Sequence, residues 1–336
     1  MLVVKSPAPE YPADFSGGFI LVNTKDVPSS NLFTISVGTS LNDQTHFKKF
    51  LYNKGSGTDF LGFDNGFRSL KGGINAVLNP INNGYDLLNN GLNNDWTVKD
   101  RRPLADLSMN MNFSRRWVDS SGRTLAMLGT VNYSNSYKTY LDMDNNLFGA
   151  YDTTHDCSNY LRKSIDDQYN HNVRIGAMLN FTYVPASGNS RYEFKNIFNQ
   201  LGKDRYTYRK GTDAQSDYEE SAEYYYQSRT TYNGQFTGKH TLGDADKLDW
   251  STGYSYANRN MPDRRRYTTV LNEETNQLEV ENLNEINREF SRLDEHILSA
   301  NINYQHDFSF GIFTPSLKAG AYTEYRAREY NTRFFL

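Results

Sequence analysis

Asn172-Val173-Arg174-Ile175-Gly176-Ala177-Met178-Leu179-Asn180-Phe181-Thr182-Tyr183 is the stretch whose reading decides the fold. Its odd positions carry Val, Ile, Ala, Leu, Phe and Tyr, and its even positions Asn, Arg, Gly, Met, Asn and Thr. A period of two is a β-strand, because successive side chains of an extended chain point to opposite faces. One face of this strand is apolar and uncharged, while the other tolerates a guanidinium.

The same pattern recurs on both sides. Before it come Phe33-Ile35-Val37-Thr39-Leu41, Leu107-Met109-Met111-Phe113 and Leu125-Met127-Gly129-Val131-Tyr133. After it come the segment opened by Tyr192 and Phe194, where Asn196 interrupts the apolar face, and Tyr224-Tyr226-Ser228-Thr230-Tyr232-Gly234-Phe236. Leu248-Trp250-Thr252-Tyr254-Tyr256, Leu298-Ala300-Ile302-Tyr304 and Phe313-Pro315-Leu317-Ala319-Ala321-Thr323-Tyr325 complete the set. About nine such strands alternate between short and long connections, the plan of an up-and-down barrel. The short turns are Asp119–Gly122, Pro185–Asn189 and Gly243–Asp246, and the long polar stretches read as loops near 43–103, 138–168, 211–222 and 260–290. Charge is kept off the middles of the apolar faces, whereas Arg174, Arg229 and Lys318 fall on the opposite face. A charge in hydrocarbon costs about 2–4 kcal/mol at the bilayer midplane, so the partition points to an apolar outside and a wet inside. Val173, Ile175, Leu179, Phe181, Trp250, Tyr254, Leu298, Ile302, Leu317 and Ala319 are expected to share the lipid-facing surface. The strands near 31–42 and 312–328 are expected to be the two edges.

Composition agrees with this reading. The chain has 336 residues, 37% of them hydrophobic and 14% aromatic, with 25 Tyr and 20 Phe. A mean hydropathy of -0.74 is compatible with a membrane barrel, since only half of each strand must be apolar. No apolar run approaches the length of a transmembrane helix. A net charge of -3 gives no basis for nucleic-acid binding. The single cysteine, Cys157, excludes an internal disulfide framework.

Isolated motifs carry little chemistry. Asp142-Met143-Asp144-Asn145-Asn146 opens like a calcium loop, but Leu147 and Thr153 stand where that loop wants Gly and Glu, so an Asx-rich loop is the simpler reading. His155 and Cys157 lack the partner pair of a zinc site. Arg264-Arg265-Arg266 reads as solvated loop charge. Tyr224-Tyr225-Tyr226 suits either a sugar-stacking platform or, preferably, an interfacial girdle. His296 and His306 bracket an apolar strand face. The sequons at Asn132 and Asn180 fall within strands. No phosphate loop, dinucleotide fingerprint or nucleophile elbow is present, so neither an enzyme nor a cofactor is expected.

The segment Pro12-Ala13-Asp14-Phe15-Ser16-Gly17-Gly18-Phe19-Ile20-Leu21-Val22-Asn23-Thr24-Lys25-Asp26-Val27-Pro28 resembles the end of the plug of a TonB-dependent outer-membrane receptor. Its Asp14, Phe15, Ser16, Gly17, Gly18, Thr24, Lys25 and Asp26 carry the likeness. Thr58–Gly66 and Tyr192–Gly202 are similar to segments of such receptors from Bacteroidetes-type bacteria. The resemblance implies an all-β, antiparallel up-and-down transmembrane β-barrel, partial, with long outer loops. Residues 1–30 would be the plug end and 31–336 the first part of the barrel. It also implies an internal fragment, because the family's signal peptide, TonB box and full plug are not in the sequence. The implied function is import of an unidentified external ligand across the outer membrane, with outer-membrane lipid and, through the missing N-terminal region, the TonB complex as partners. A plugless porin-like channel and a soluble β-rich surface-binding protein are the alternatives. The first would lack the Phe15–Pro28 segment, and the second would not keep charge off one strand face.

Overall fold

The structure, a computed structural model, describes residues 2–4, 19–21, 27–70, 92–280 and 285–335; of the first two segments it describes the backbone. Short strands β1 (Leu2–Val4) and β2 (Phe19–Leu21) pair antiparallel. The rest is one antiparallel sheet of 11 strands with an insert packed on it. The sheet's path runs β3 (Leu32–Ser40), β6 (Asp106–Val118), β7 (Thr124–Asp144), β9 (Cys157–Val184), β10 (Ser190–Asp213), β11 (Tyr218–Leu242), β12 (Asp246–Asn272), β14 (Asn287–Asp307) and β15 (Ser316–Phe335). β8 (Leu147–Asp152) and β13 (Gln277–Glu279) pair only with β9 and β12. Neighbours on the path follow one another along the chain, so this is an up-and-down meander. β3 and β15 are its edges, as expected; the sheet is not closed among the described residues.

Every alternating segment read from the sequence falls on a strand of this path, although Leu41, Phe313 and Pro315 lie just outside β3 and β15, and most strands run longer than the alternation. β9 alone spans 28 residues, about 90 Å at the rise of an extended chain. Among the described residues the stretches near 138–168, 211–222 and 260–290, read as long loops, are mostly strand, which corrects the expectation of long outer loops there. The physical reason is that pairing is made by backbone groups, which continue where both faces have become polar and the alternation has disappeared.

Register assigns the faces. Val173, Ile175, Ala177, Leu179, Phe181 and Tyr183 of β9 lie opposite Gly202, Gln200, Phe198, Asn196, Phe194 and Tyr192 of β10. Those residues in turn face Ser228, Thr230, Tyr232, Gly234, Phe236 and Gly238 of β11. Near the short turns this apolar face is open: Leu179, Phe194, Phe236, Leu298, Ile302 and Leu317 are all exposed. Its rings pack edge to face across strands, Phe194 on Phe236 at 6.5 Å and Phe236 on Trp250 at 5.2 Å. Gly238 makes room for this: a Cβ there would lie 2.4 Å from the Trp250 ring, which covers the bare backbone instead. Arg174, Arg229 and Lys318 share the other, polar face, as expected.

The described parts of the stretch near 43–103, residues 43–70 and 92–103, are also not free loop. They fold as β4 (Phe50–Asn53), a 3-10 turn η1 (Asp59–Leu61) and β5 (Val98–Arg101), and β4 pairs with β5. This insert lies on the apolar-face side, over the half of the sheet nearest the long hairpins. Phe50 is buried there against Tyr137 and Tyr169, with Tyr206 and Tyr224 in the same cluster. Gly62 closes on Gly202, and its carbonyl accepts a hydrogen bond from the Gln200 side chain. Val173, which faces Gly202, is therefore only 2% exposed and not part of the open apolar band expected for it.

Candidate functional site

The polar face carries the most concentrated chemistry. Pairing across β9, β10, β11 and β12 sets Arg174, Leu201, Arg229 and Arg259 in one transverse row. The neighbouring row holds Asn172, Lys203 and Gln227, and the next holds Arg205 and Tyr225. Arg264 and Glu289 continue that edge on β12 and β14. These side chains line a hollow of about 540 Å³. The hollow draws its lining from β9, β10, β11, β12 and β14. A second hollow of about 620 Å³ adjoins it toward the hairpin end, sharing Arg205 and Arg264, with Glu223 on its own wall.

The charges divide into a paired set and an open set. Arg205 and Arg264 both bond Glu223, and Arg264 reaches Glu289 at 3.2 Å. The Glu223 carboxyl is held below its usual range because the pull of Arg205 and Arg264 overcomes the opposing effect of burial, the largest single influence on it. Both guanidiniums also lie over the Tyr225 ring, Arg205 at 4.7 Å and Arg264 at 5.8 Å. With its amide oxygen toward Arg259, Gln227 accepts from that guanidinium and donates to the Tyr225 hydroxyl at 2.9 Å. Arg174, Lys203 and Arg229, by contrast, have no carboxylate or hydrogen-bond partner among the described residues and point into the hollow. Burial, then Arg205 and Arg229, hold the Lys203 ammonium below its ordinary range, against a smaller opposite pull from Glu223.

A different cluster locks the insert to the sheet. The Arg68 guanidinium donates to both Asp59 oxygens at 2.8 and 2.6 Å and to Asp64 at 2.9 Å, and lies 4.1 Å above the Tyr226 ring. Arg265 donates to the Asp95 carbonyl and the Asn53 side chain, and Arg288 to Asp263 and the Asn93 carbonyl.

Of the arginine run, Arg264 belongs to the hollow and Arg265 is 3% exposed beneath the insert, so the reading as solvated loop charge is corrected. Tyr224 and Tyr226 are buried under the insert, which corrects the girdle reading; Tyr225 alone lines the hollow. Asp142 sits at a β-bulge with φ +54°, its amide bonded to Asp167. His155 bonds Asp152, and the exposed Cys157 opens β9. Among the described residues no three His, Cys, Asp or Glu side chains converge as metal ligands. His296 and His306 stand at the two ends of the Leu298–Tyr304 run. Asp14, Phe15, Ser16, Gly17, Gly18, Thr24, Lys25 and Asp26 lie outside the described residues. Sequence reasoning missed Lys203, Arg205 and Arg259 as site residues; the available signal was that each falls on the face opposite the apolar one.

No family model, curated protein or solved structure matches the chain.

Proposed function

We propose that the chain forms part of the wall of an outer-membrane β-barrel of the TonB-dependent receptor type, which takes up an external ligand. The observation that carries the membrane part is the band of exposed apolar side chains beside the short turns, from Leu125 and Leu179 through Phe194 and Phe236 to Leu298, Ile302 and Leu317. It is backed on the opposite face by Thr182, Lys195, Gln235, Ser251 and Asn301. An apolar band of this extent facing water would be an aggregation surface, whereas facing lipid it is satisfied. About 9–11 residues of a tilted strand cross a bilayer. Residues 175–183, 192–200, 230–238, 248–256 and 298–304 are the crossing parts, and the remaining strand length stands above the membrane with the insert on its outer wall. The receptor assignment itself rests on the resemblance of residues 12–28, 58–66 and 192–202 to that family. In this reading ligand enters from the hairpin end along the polar face, and the TonB complex acts through the region preceding the barrel.

The test uses the chain's three tryptophans. Trp250 lies in the apolar band and Trp96 in the insert, so W96F/W117F leaves one probe at lipid depth and W117F/W250F one above it. In vesicles with brominated acyl chains, Trp250 fluorescence is quenched strongly and Trp96 fluorescence is not. Equal quenching of both, or of neither, refutes the membrane placement.

A further inference from the structure

We infer that the hollow on the polar face is a binding site for an elongated, multiply charged anion, one that presents carboxylate or phosphate groups at intervals along its length. This names a ligand class for the proposed receptor. Only its role in uptake rests on that reading, because the hollow is defined by register and side chains alone.

Some cations of the polar face are already used. Arg205 and Arg264 are neutralised by Glu223 and Glu289 and stacked on Tyr225, so they form a fixed base. Arg259 is oriented by Gln227. Arg174, Lys203 and Arg229 make no ion pair or hydrogen bond among the described residues, and all three line the same hollow. Like charges gathered on one wall raise the local potential and concentrate anions in a cleft. Arginine adds a planar fork that grips a carboxylate or phosphate by two parallel hydrogen bonds.

Spacing then excludes a compact ion. Arg174 and Arg229 are separated by the whole of β10, about 10 Å between backbones. Lys203 stands two residues along β10 from the row they share, about 7 Å away. A single phosphate satisfies one of these groups and leaves the others unpaired. A chain of anionic groups reaches all three, and the volume of about 540 Å³ is that of an ordinary ligand pocket rather than an ion site. The adjoining hollow of about 620 Å³ extends the lane toward the hairpin end, but Arg209 there already grips Asp166 with two hydrogen bonds. The selective part is therefore the lower hollow.

The experiment is calorimetric titration of the full chain in detergent with four probes: hexagalacturonate, linear pentapolyphosphate, the neutral maltohexaose and inorganic phosphate. One or both polyanions bind, and which of them binds tells carboxylate from phosphate; maltohexaose and inorganic phosphate do not saturate. R174Q/R229Q weakens polyanion binding at least tenfold, and K203Q adds to the loss. N233Q, on the same face outside the hollow, changes nothing, and an unchanged far-ultraviolet spectrum shows that the variants keep the sheet. R174K/R229K keeps charge without the fork and recovers part of the affinity. No binding of either polyanion, equal binding of maltohexaose, saturation by phosphate alone, or binding unaffected by R174Q/R229Q overturns the inference. Because the titration needs no bilayer, its failure is distinguishable from a failure of the lipid-quenching test.

Discussion

Asp204 offers the sharpest test of how the insert is held. It lies on β10 between His171 and Tyr226, beneath the Arg68 cluster. Burial raises its carboxyl to about 6, with Arg68 and Arg101 pulling it down and Asp59 pushing it up. When the insert lifts, the carboxyl returns toward its ordinary value of 3.8. A pKa raised in the closed state means the closed state binds the proton more tightly. The associated stability is thus fully present below pH 3.8 and is lost as the pH rises through about 6. The difference corresponds to about 3 kcal/mol as an upper bound, since the side chain is not wholly sealed from water. The assay is amide hydrogen exchange at Leu61, Gly62 and Asn65, whose N–H groups are bonded within the insert. After correction for intrinsic exchange, protection falls by up to about 100-fold between pH 4 and 7. D204N, which fixes the neutral form, removes this component, so its excess protection over the parent grows from nearly none at pH 4 to its full size at pH 7. An Asp204→Asn protein with the parent's pH profile, or with less protection at pH 7, would show that the carboxyl is not the strained group.

Other perturbations separate the remaining parts of the fold. Arg68→Met breaks a buried ion cluster and leaves Asp59 and Asp64 uncompensated; it costs about 3–5 kcal/mol of insert docking, read by the same exchange experiment. Phe50→Ala empties the centre of the aromatic cluster, and denaturant unfolding should register a loss of about 3–5 kcal/mol. Gly202→Ala places a methyl 2.5 Å from the Gly62 Cα, so the insert opens while the sheet's circular dichroism stays unchanged. Ile302→Arg on the apolar band lowers stability in lipid by about 2–4 kcal/mol, whereas Asn301→Arg on the opposite face loses no more than about 1 kcal/mol, that of its hydrogen bond from Ser251, as measured by urea unfolding in vesicles.

The register of the sheet explains how far sequence reading reaches. Alternation in β9 named the two faces because a one-residue slip would exchange them, and the pairings carry that assignment across the whole sheet. The open cations Arg174 and Arg229 were legible for the same reason. Lys203 and Arg259 were not singled out, because a hollow is a relation between strands and has no signature within one. Tyr224 and Tyr226 show the opposite failure. Their alternation is correct, but exposure depends on what lies above them, and that is an insert contributed by residues more than 100 positions earlier.

By itself, the sequence determined that the protein is a meander of antiparallel strands with an uncharged apolar band on one face, where the short turns at one end fall, and which arginines stand opposite the apolar residues. These follow from the two-residue period and from the cost of charge in an apolar medium, both local properties of a strand. Tertiary structure alone decided the strand lengths, the docking of the 43–70 and 92–103 segments, and the gathering of Arg174, Lys203, Arg229 and Arg259 around one hollow. Backbone pairing extends strands without regard to side-chain pattern. Packing and like-charge proximity depend on neighbours that chain order does not reveal.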